Sequence, residues 1–367
     1  MSGSSLDGLD IAYAHFQESG GRWNFEIIKT ACYKYDDSWF KKLQTAFSLS
    51  AFQYQLLHVE FGHYIGEKIN HFIEQNNLHY QVQLISSHGH TVFHAPEKKM
   101  TAQLGDGAAI AAETCINTVS DLRAMDVALG GQGAPIVPIG EQLLLGHHDF
   151  YLNLGGIANL SFKKDDTLFA FDVCAANRVL NLLAKESGKE FDENGELASA
   201  GKINDELLNK LNALEYYSAS YPKSLANAFG TDIIFPLIKD ANGSINDALR
   251  TYVEHIIIQI KNAVKIFAES NNNPVDEIPI PQVSNYKMLV TGGGTHNTFL
   301  INRLQAILQT LNISIIIPEK EVIDFKEALI MAFMGVLRWR EENNVLASVT
   351  GATRSSIGGA VWIGLEA

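Results

Sequence analysis

The sequence predicts an α/β protein with two lobes, and three observations lead to this prediction. The chain has 367 residues, which is more than one simple hydrophobic core usually holds. Segments patterned as strands alternate with segments patterned as helices in both halves. Glycine turns follow apolar strands at two places, and a third glycine-rich segment opens the chain. We place the lobes at residues 1–147 and 148–367.

Hydrophobic periodicity defines the predicted elements of the first lobe. Apolar residues three and four positions apart predict a long helix over residues 52–74. Small residues predict a closely packed helix over 106–114. The polar residues 87–96 and the Gly- and Pro-rich residues 129–138 are predicted loops. The predicted strands cover residues 10–19, 23–33, 82–87 and 116–120.

The second lobe repeats this alternation of strands and helices. Its longest predicted helix covers residues 247–269 and contains an apolar run that indicates deep burial. Shorter helices are predicted to start near Asn177, over 297–309 and over 325–339. The predicted strands cover residues 150–154, 157–163, 168–172, 287–291 and 313–317. The third of these strands is expected to end at Asp172.

Composition and charge exclude several classes of protein. Hydrophobic residues make up 46% and charged residues 19%, which is typical of a folded globular chain rather than a disordered one. The formal net charge of −13 argues against nonspecific nucleic-acid binding, which needs a basic face. The sequence has no apolar run long enough for a bilayer and no secretory signal pattern. We expect a cytoplasmic protein without nucleic-acid or membrane partners.

Residue types that bind metals occur, but their spacing does not indicate a zinc site. The three cysteines form no Cys-x-x-Cys pair, and reduced thiols fit a cytoplasmic protein. Three histidines share one segment without a cysteine or carboxylate cluster beside them, so we favour a binding loop over a metal site. These residues are Cys32, Cys115, Cys174, His88, His90 and His94.

Three segments place Gly, Ser or Thr where backbone amides can approach an anion without a side chain in the way. They are Met1–Asp10, Tyr151–Leu160 and Met288–Asn297. Two phosphate-binding loops facing each other, with a flat glycine edge for a purine, predict a nucleotide cleft between the lobes.

Each of these segments also has a purely structural interpretation. The first is equally explained as a flexible N-terminal tail. The second is the pattern of a β-hairpin with a Gly-Gly turn, flanked by Asn153 and Asn159. The third is explained as a strand-to-helix turn with Asn297 as the N-cap. From the residues alone, these alternatives stay open.

Seven segments, spread over nearly the whole chain, carry a family resemblance. They are MSGSSLDGLD at 1–10, SSHGHTVFHAP at 86–96, DLRAMDVALGGQGAPIVP at 121–138, LNLGGIANL at 152–160, PKSLANAFG at 222–230, VTGGGTHN at 290–297 and SVTGATRSSIGGA at 348–360. In this order they resemble the anhydro-N-acetylmuramic acid kinases, within the sugar kinase–Hsp70–actin superfamily. One glycine pair would be weak evidence, whereas the ordered set is specific.

The resemblance implies a fold and a reaction. The fold is a two-lobed, actin-like ATPase fold of the α/β class with a deep interlobe cleft. The reaction uses ATP and Mg²⁺, opens the 1,6-anhydro bond of 1,6-anhydro-N-acetylmuramic acid with water, and phosphorylates the 6-oxygen. The product, N-acetylmuramic acid 6-phosphate, serves recycling of bacterial cell-wall fragments. The resemblance also implies a homodimer.

The matching motif positions carry the family's functional residues onto this chain. ATP is expected to contact Gly3, Ser4, Ser5, Leu6, Asp7, Gly8, Asp10, Asn153, Gly155, Gly156, Gly292, Gly293 and Gly294. Asp7 is the candidate for holding the water shell of the metal ion. The sugar is expected to contact His88, His90, Asp121, Arg123, Asp126, Gln132, Asn177 and Lys223.

Arg123 is expected to pair with the lactyl carboxylate of a muramic substrate. The structural alternative for Arg123 and its neighbouring Asp residues is a set of surface salt bridges. Lys223 has the same kind of alternative, as an ordinary surface residue.

Asp172 is the expected catalytic base. A carboxylate at this position takes a proton from water that attacks the anomeric carbon, and opening of the internal ether releases the 6-oxygen toward the γ-phosphoryl group. The structural alternative is a cap for the helix that follows. The family's commoner pattern after this Asp is Gly-Pro-Gly-Asn, whereas this chain has Cys174-Ala175-Ala176-Asn177. The conformation of this loop is therefore the open point.

A second departure from the family pattern lies at the N-terminus. In the family an apolar strand precedes the first motif, whereas here Met1 stands directly at it. From the sequence we expect this form to bind ATP poorly or to be unstable, because the phosphate loop and a sheet edge would lack support.

Two other functions stay open at this point. A non-catalytic, nucleotide-binding member of the same fold would fit the two departures from the family pattern. A glycoside hydrolase normally needs two carboxylates, and no second carboxylate is paired with Asp172 by motif.

Overall fold

The fold is seen in a computed structural model that describes residues 1–3, 6–146, 148–164, 167–219, 223–226, 228–269 and 285–364. The strands in chain order are β1 Gly8–Ser19, β2 Arg22–Lys34, β3 Ile85–Ser86, β4 His90–Ala95, β5 Met100–Leu104, β6 Thr118–Ser120, β7 Phe150–Leu154, β8 Ile157–Lys164, β9 Thr167–Ala175, β10 Tyr286–Thr291, β11 Ile313–Ile316 and β12 Ala360–Trp362.

The α-helices in chain order are α1 Asp37–Thr45, α2 Ala51–Gln75, α3 Gly107–Thr114, α4 Ala124–Ala128, α5 Pro138–Leu144, α6 Asn177–Lys185, α7 Glu196–Ala200, α8 Asp205–Asn212, α9 Glu215–Ser218, α10 Phe235–Asp240, α11 Ile245–Glu269, α12 Thr298–Gln309, α13 Lys320–Trp339 and α14 Ala347–Thr350. None of the helices in the described part of the chain combines the length and the apolar character that a membrane crossing requires.

The chain forms two compact units, Met1–Gly146 with Phe325–Ala367, and His147–Asp324. The second unit ends earlier than the predicted lobe of residues 148–367, because residues 325–367 belong to the first unit. Strand β12 pairs antiparallel with β6. Lys326 also forms a buried ion pair with Glu141, with 2.9 Å between Nζ and Oε1. Both contacts join positions far apart in sequence, which the spacing of residues along the chain does not reveal.

The second unit is built on a five-stranded sheet of order β11-β10-β7-β8-β9. Strand β10 runs parallel to both β7 and β11, and β7, β8 and β9 are antiparallel neighbours. The long helix α11 packs on this sheet through fully buried Tyr252 and Ile256. Because β7 and β10 are parallel neighbours, their carboxyl ends lie at one edge of the sheet. The two glycine turns that follow these strands therefore meet there.

The first unit contains three smaller sheets, β1-β2, β12-β6-β3 and β4-β5. The predicted loop over residues 87–96 is wrong, because His90–Ala95 form β4 and pair antiparallel with β5. Thr91, Val92 and Phe93 fit a half-buried strand, and the histidines around them obscured that pattern in the sequence. The predicted strand over 82–87 shrinks to Ile85–Ser86.

A cavity of about 570 Å³ lies between β1 and β3 in the first unit, lined by residues 9–16 and 81–87 and by side chains of α2 and α13. At one end Ser2 forms an antiparallel bridge with Leu9 and a parallel bridge with His90. The Met1 ammonium donates a 2.8 Å hydrogen bond to the carbonyl oxygen of Asp10. Met1 and Ser2 thus lie at one end of this cavity.

We expect that filling this cavity with apolar side chains stabilises the protein. An extension of about five alternating Val and Ile residues ahead of Met1 would run along β1 and bury apolar side chains. A net gain of about 2 kcal/mol would raise the melting temperature by roughly 2–3 °C in a chain of this length. Thermal unfolding followed by circular dichroism measures this. The control is a Gly-Ser extension of equal length, and equal melting temperatures for the two would contradict the prediction.

The buried N-terminus predicts a dependence of stability on pH. Burial lowers the pKa of the Met1 ammonium from 8.0 to about 6. The charges of Asp10, Glu327 and Cys32 raise this pKa and so oppose part of the effect. The folded protein therefore binds fewer protons than the unfolded chain between these two values, and the free energy of unfolding rises with pH across that window.

Urea unfolding at pH 7 and at pH 8 should show an increase of about 1 kcal/mol. N-terminally acetylated protein, which has no titrating ammonium, is the control. An equal increase in the acetylated protein would show that other groups are responsible.

Candidate functional site

The candidate residues form two groups, one in each unit, and each group is considered by itself. In the second unit, Asp172 lies within β9 opposite Asn159 of β8. The predicted end of the strand at Asp172 is wrong, because β9 continues to Ala175. Residues 173–175 are small and apolar, and the pairing resumes after a bulge that leaves Val173 unpaired. Such bulges change the direction of neighbouring side chains.

The side chain of Asp172 is half-buried and is held on one side. The Leu225 amide donates a 2.8 Å hydrogen bond to Oδ2, and the Tyr216 hydroxyl donates to the main-chain carbonyl at 2.7 Å. Burial raises the pKa of Asp172, and the bond from Leu225 partly opposes this. Oδ1 accepts no hydrogen bond from the described residues. The capping interpretation is wrong, since Ala176 is the N-cap of α6.

Lys223 lies beside Asp172, and its ammonium group contacts Tyr216. Nζ donates to the Tyr216 carbonyl at 3.0 Å and lies 4.7 Å from the centre of the ring. Burial lowers the pKa of Lys223. Its carbonyl oxygen accepts the amide of Asp172 at 3.1 Å. Lys223 and Tyr216 therefore hold the main chain around the candidate base. No sequence motif pointed to Tyr216.

The glycines after β10 pack closely against the end of β7. A Cβ atom on Gly292 would lie 2.8 Å from the carbonyl oxygen of Leu154, and one on Gly294 would lie 2.7 Å from the Leu154 Cβ. Gly292 also has a φ of +85°, which favours glycine. Gly293 lies near the Asn177 amide group. The structural role of Asn297 is confirmed, since its side chain caps α12 through the Leu300 amide.

Asparagine side chains join the two glycine turns. Asn177 Nδ2 donates a 2.8 Å hydrogen bond to the Leu154 carbonyl. The side-chain oxygen of Asn153 borders Gly292, at 2.7 Å from where a Cβ would stand. The structure thus brings together the following predicted site residues: Asn153, Gly155, Gly156, Asn177, Gly292, Gly293 and Gly294.

The Gly155–Gly156 turn is tied by its carbonyl oxygens to the start of α6. The amide of Ala176 donates to the Gly156 carbonyl at 2.8 Å, and the amide of Asn177 donates to the Gly155 carbonyl at 3.1 Å. Among the described residues, the amides of Gly155 and Gly156 have no hydrogen-bond acceptor. The turn therefore presents donors without partners, as an anion site requires.

In the first unit, Arg123 is half-buried and fixed by two hydrogen bonds. Nε donates to His88 Nε2 at 2.8 Å, and Nη1 donates to the Gly133 carbonyl at 2.8 Å. Burial and the charge of Arg123 hold the pKa of His88 well below its usual value, which keeps Nε2 an acceptor. Arg123 makes no ion pair with the described carboxylates. The surface salt-bridge alternative is therefore wrong.

His90 belongs to a separate hydrogen-bonded group. Its Nδ1 lies 3.2 Å from Ser2 Oγ, which also accepts a 2.8 Å bond from the Tyr35 hydroxyl. Burial lowers the pKa of His90. Within the described part of the chain, no group of three or more His, Cys, Asp or Glu side chains is arranged to hold a metal ion.

The two predicted aspartates near Arg123 make internal bonds. Asp126 is buried, and its carboxylate accepts bonds from the Thr350 hydroxyl at 2.6 Å and the Gly133 amide at 2.8 Å. Asp121 accepts a 2.7 Å bond from the Ser120 hydroxyl. Gln132 is exposed on the loop that Asp126 supports. Asp126 thus shapes this loop from inside.

The first glycine segment is described in part, since Ser4 and Ser5 lie outside the described residues. Gly3 accepts a 3.3 Å bond from the amide of Leu6, whose φ is +58°. Gly8 packs against β2, and a Cβ there would lie 2.7 Å from Cys32 Sγ.

The two aspartates of this segment have different surroundings. Asp7 is exposed. Asp10 shares a hydrogen bond with the Cys32 thiol, and burial raises the pKa of the Asp10 carboxyl. Burial and Asp10 also raise the pKa of Cys32 to about 12.

The sequence match extends over the whole chain. Residues 1–364 match the family model described as anhydro-N-acetylmuramic acid kinase. Similar curated proteins, each named anhydro-N-acetylmuramic acid kinase, include one from Aliivibrio fischeri at 32% identity, covering 99% of this chain and 97% of the relative. Others come from Haemophilus influenzae, at 30% identity with 99% and 96% coverage, and Bacillus cereus, at 29% with 98% and 97%. The chain therefore belongs to the anhydro-N-acetylmuramic acid kinase family.

Proposed function

We propose that this chain uses ATP to convert 1,6-anhydro-N-acetylmuramic acid into N-acetylmuramic acid 6-phosphate, with Asp172 as the base. The observation that carries the proposal is the Asp172 carboxylate. It is half-buried, has a raised pKa, and is held through one oxygen by the Leu225 amide. The relatives are named as kinases, which favours this function over a non-catalytic nucleotide-binding protein.

The proposed reaction joins hydrolysis to phosphoryl transfer. Oδ1 of Asp172 takes a proton from water, and the water oxygen forms a bond to the anomeric carbon. The bond between that carbon and the 6-oxygen breaks, and its electron pair stays on the 6-oxygen. The 6-oxygen attacks the γ-phosphorus, the bond to the leaving ADP oxygen breaks, and Asp172 returns its proton to solvent. One carboxylate serves both steps because the product of the first is the nucleophile of the second.

The nucleotide would rest on the glycine turns at the edge of the second unit's sheet. The amides of Gly155 and Gly156 suit phosphate oxygens, and Gly292–Gly294 offer a backbone edge without side chains for the adenosine. Gly3, Leu6 and Gly8 belong to the other predicted phosphate segment.

Mg²⁺, when bound, would neutralise charge on the phosphates. Asp7 is the candidate for holding its water shell, because Asp7 is exposed to solvent.

The sugar would be recognised in part through Arg123. His88 and Gly133 fix the guanidinium plane and leave Nη2 without a hydrogen bond to the described residues. A lactyl carboxylate is the kind of group that a fixed guanidinium binds strongly. His90, Asp121, Gln132 and Lys223 remain further candidates for sugar contacts. By its family membership we also propose a homodimer in the cytoplasm.

Replacing Asp172 with asparagine should separate binding from chemistry. The Asp172→Asn side chain keeps an acceptor for the Leu225 amide but cannot take the proton. We expect sugar turnover to fall by about 10²–10⁴-fold or more, with ATP affinity unchanged. Coupled ADP release measures turnover, and calorimetry measures ATP affinity. Glu206→Gln, an exposed change on α8 of the same unit, is the control. Near-normal turnover in Asp172→Asn would exclude Asp172 as the base.

Isotope labelling tests the order of bonds. In oxygen-18 water with ATP, Mg²⁺ and the anhydro sugar, we expect one label in the anomeric hydroxyl and an unlabelled phosphate on the 6-oxygen. This follows because water attacks carbon, while the phosphoryl group comes from ATP. Mass spectrometry of product fragments measures both positions. Label in the phosphate, or a hydrolysed sugar without phosphate, would contradict the joined mechanism.

A further inference from the structure

Arg178, the second residue of α6, has a buried donor without an acceptor. Its Nε is shielded from solvent and has no hydrogen-bond partner among the described residues, and the side chain forms no ion pair there. An unpaired buried donor is unfavourable in a folded protein and is usually satisfied by a partner. The partner of Arg178 is therefore expected to come from outside the described chain.

Two glycines leave room for the Arg178 side chain. A Cβ on Gly156 would stand 3.8 Å from Nε and 4.0 Å from Nη2, and a Cβ on Gly230 would stand 3.6 Å from Cδ. The side chain thus passes Gly230, and its guanidinium lies against the Gly155–Gly156 turn. The Arg178 amide donates to the Gly156 carbonyl at 3.3 Å, which ties the residue to that turn.

The groups gathered here are all donors. They are the amides of Gly155 and Gly156, which have no acceptor among the described residues, and the Arg178 guanidinium. A set of donors without acceptors selects an anion, and a guanidinium favours the paired oxygens of a phosphate. Asn177 links this turn to the Gly292–Gly294 edge.

We propose that Arg178 binds a phosphate group of the nucleotide beside the Gly155–Gly156 turn. This assignment rests on the proposed ATP-dependent function and adds a residue that the motif comparison did not supply. Arg178 follows the matched Asn177 directly, but it belongs to no glycine motif, so the sequence analysis passed over it.

The test compares ligands that share a nucleoside and differ in phosphate. Calorimetry on the full chain would measure the affinity for ATP, ADP and adenosine. For Arg178→Leu we expect ATP binding to weaken by about 10- to 100-fold and adenosine binding to change by less than about twofold. Arg178→Lys should be intermediate for ATP, because it keeps the charge and loses the paired donors. Lys185→Leu, which removes an exposed cation from the last turn of α6, should leave all three affinities unchanged.

Two outcomes would overturn the assignment. One is unchanged ATP affinity in a folded Arg178→Leu protein, and the other is an equal loss for ATP and adenosine. If Arg178→Leu fails to fold, Arg178→Lys decides, since unchanged ATP affinity there excludes a paired contact.

Failure of the proposed function has a different signature. Wild-type protein that binds ATP but does not phosphorylate the anhydro sugar overturns the proposed reaction and leaves the Arg178 result standing.

Discussion

The candidate site of the second unit depends on backbone hydrogen bonds between the Gly155–Gly156 turn and the start of α6. A helix start leaves amides without partners, and a polar N-cap side chain usually accepts one of them. Here Ala176 is the N-cap and has no such side chain. The carbonyls of Gly155 and Gly156 accept the amides of residues 176–178 instead. These hydrogen bonds hold the turn, the end of β9 and the start of α6 in fixed positions relative to one another.

The same connection explains how this chain departs from the glycine-rich pattern after Asp172. Glycine is needed where φ is positive or where a Cβ has no room. None of residues 173–176 has a positive φ, and Ala176 has a φ of −128°. An alanine adopts this conformation without the strain of the left-handed region. The small side chains of Cys174, Ala175 and Ala176 are fully or almost fully buried. These positions therefore require a small side chain rather than the backbone freedom of glycine.

Local features of the fold were predictable from the sequence, whereas features set by distant partners were not. The hairpin of β1 and β2, the long helix α2 and the cap at Asn297 depend on neighbours in sequence. Asp126 shows the limit, because its carboxylate accepts a bond from Thr350, which lies 224 positions further along the chain. The attachment of residues 325–367 to the first unit has the same origin.

The candidate site shows a similar division between local and distant information. The motifs identified the glycines and asparagines that meet at the sheet edge, because these residues are needed for close backbone approach. They did not identify Tyr216, whose hydroxyl reaches Asp172 from 44 positions away. The interlobe cleft and the individual roles of the nucleotide and sugar contacts stay predictions.

Local positive charge reconciles an acidic chain with anionic ligands. The net charge is −13, and exposed charges more than about 10 Å apart are largely screened by salt. Partly buried cations act at short range in a less polar environment and are screened far less. Arg123 is such a cation, and it stays oriented only while His88 offers Nε2 as an acceptor. The lowered pKa of His88 keeps that ring neutral. The neutral ring thus keeps Arg123 oriented, since a protonated His88 would repel Arg123 and lose the acceptor that orients it.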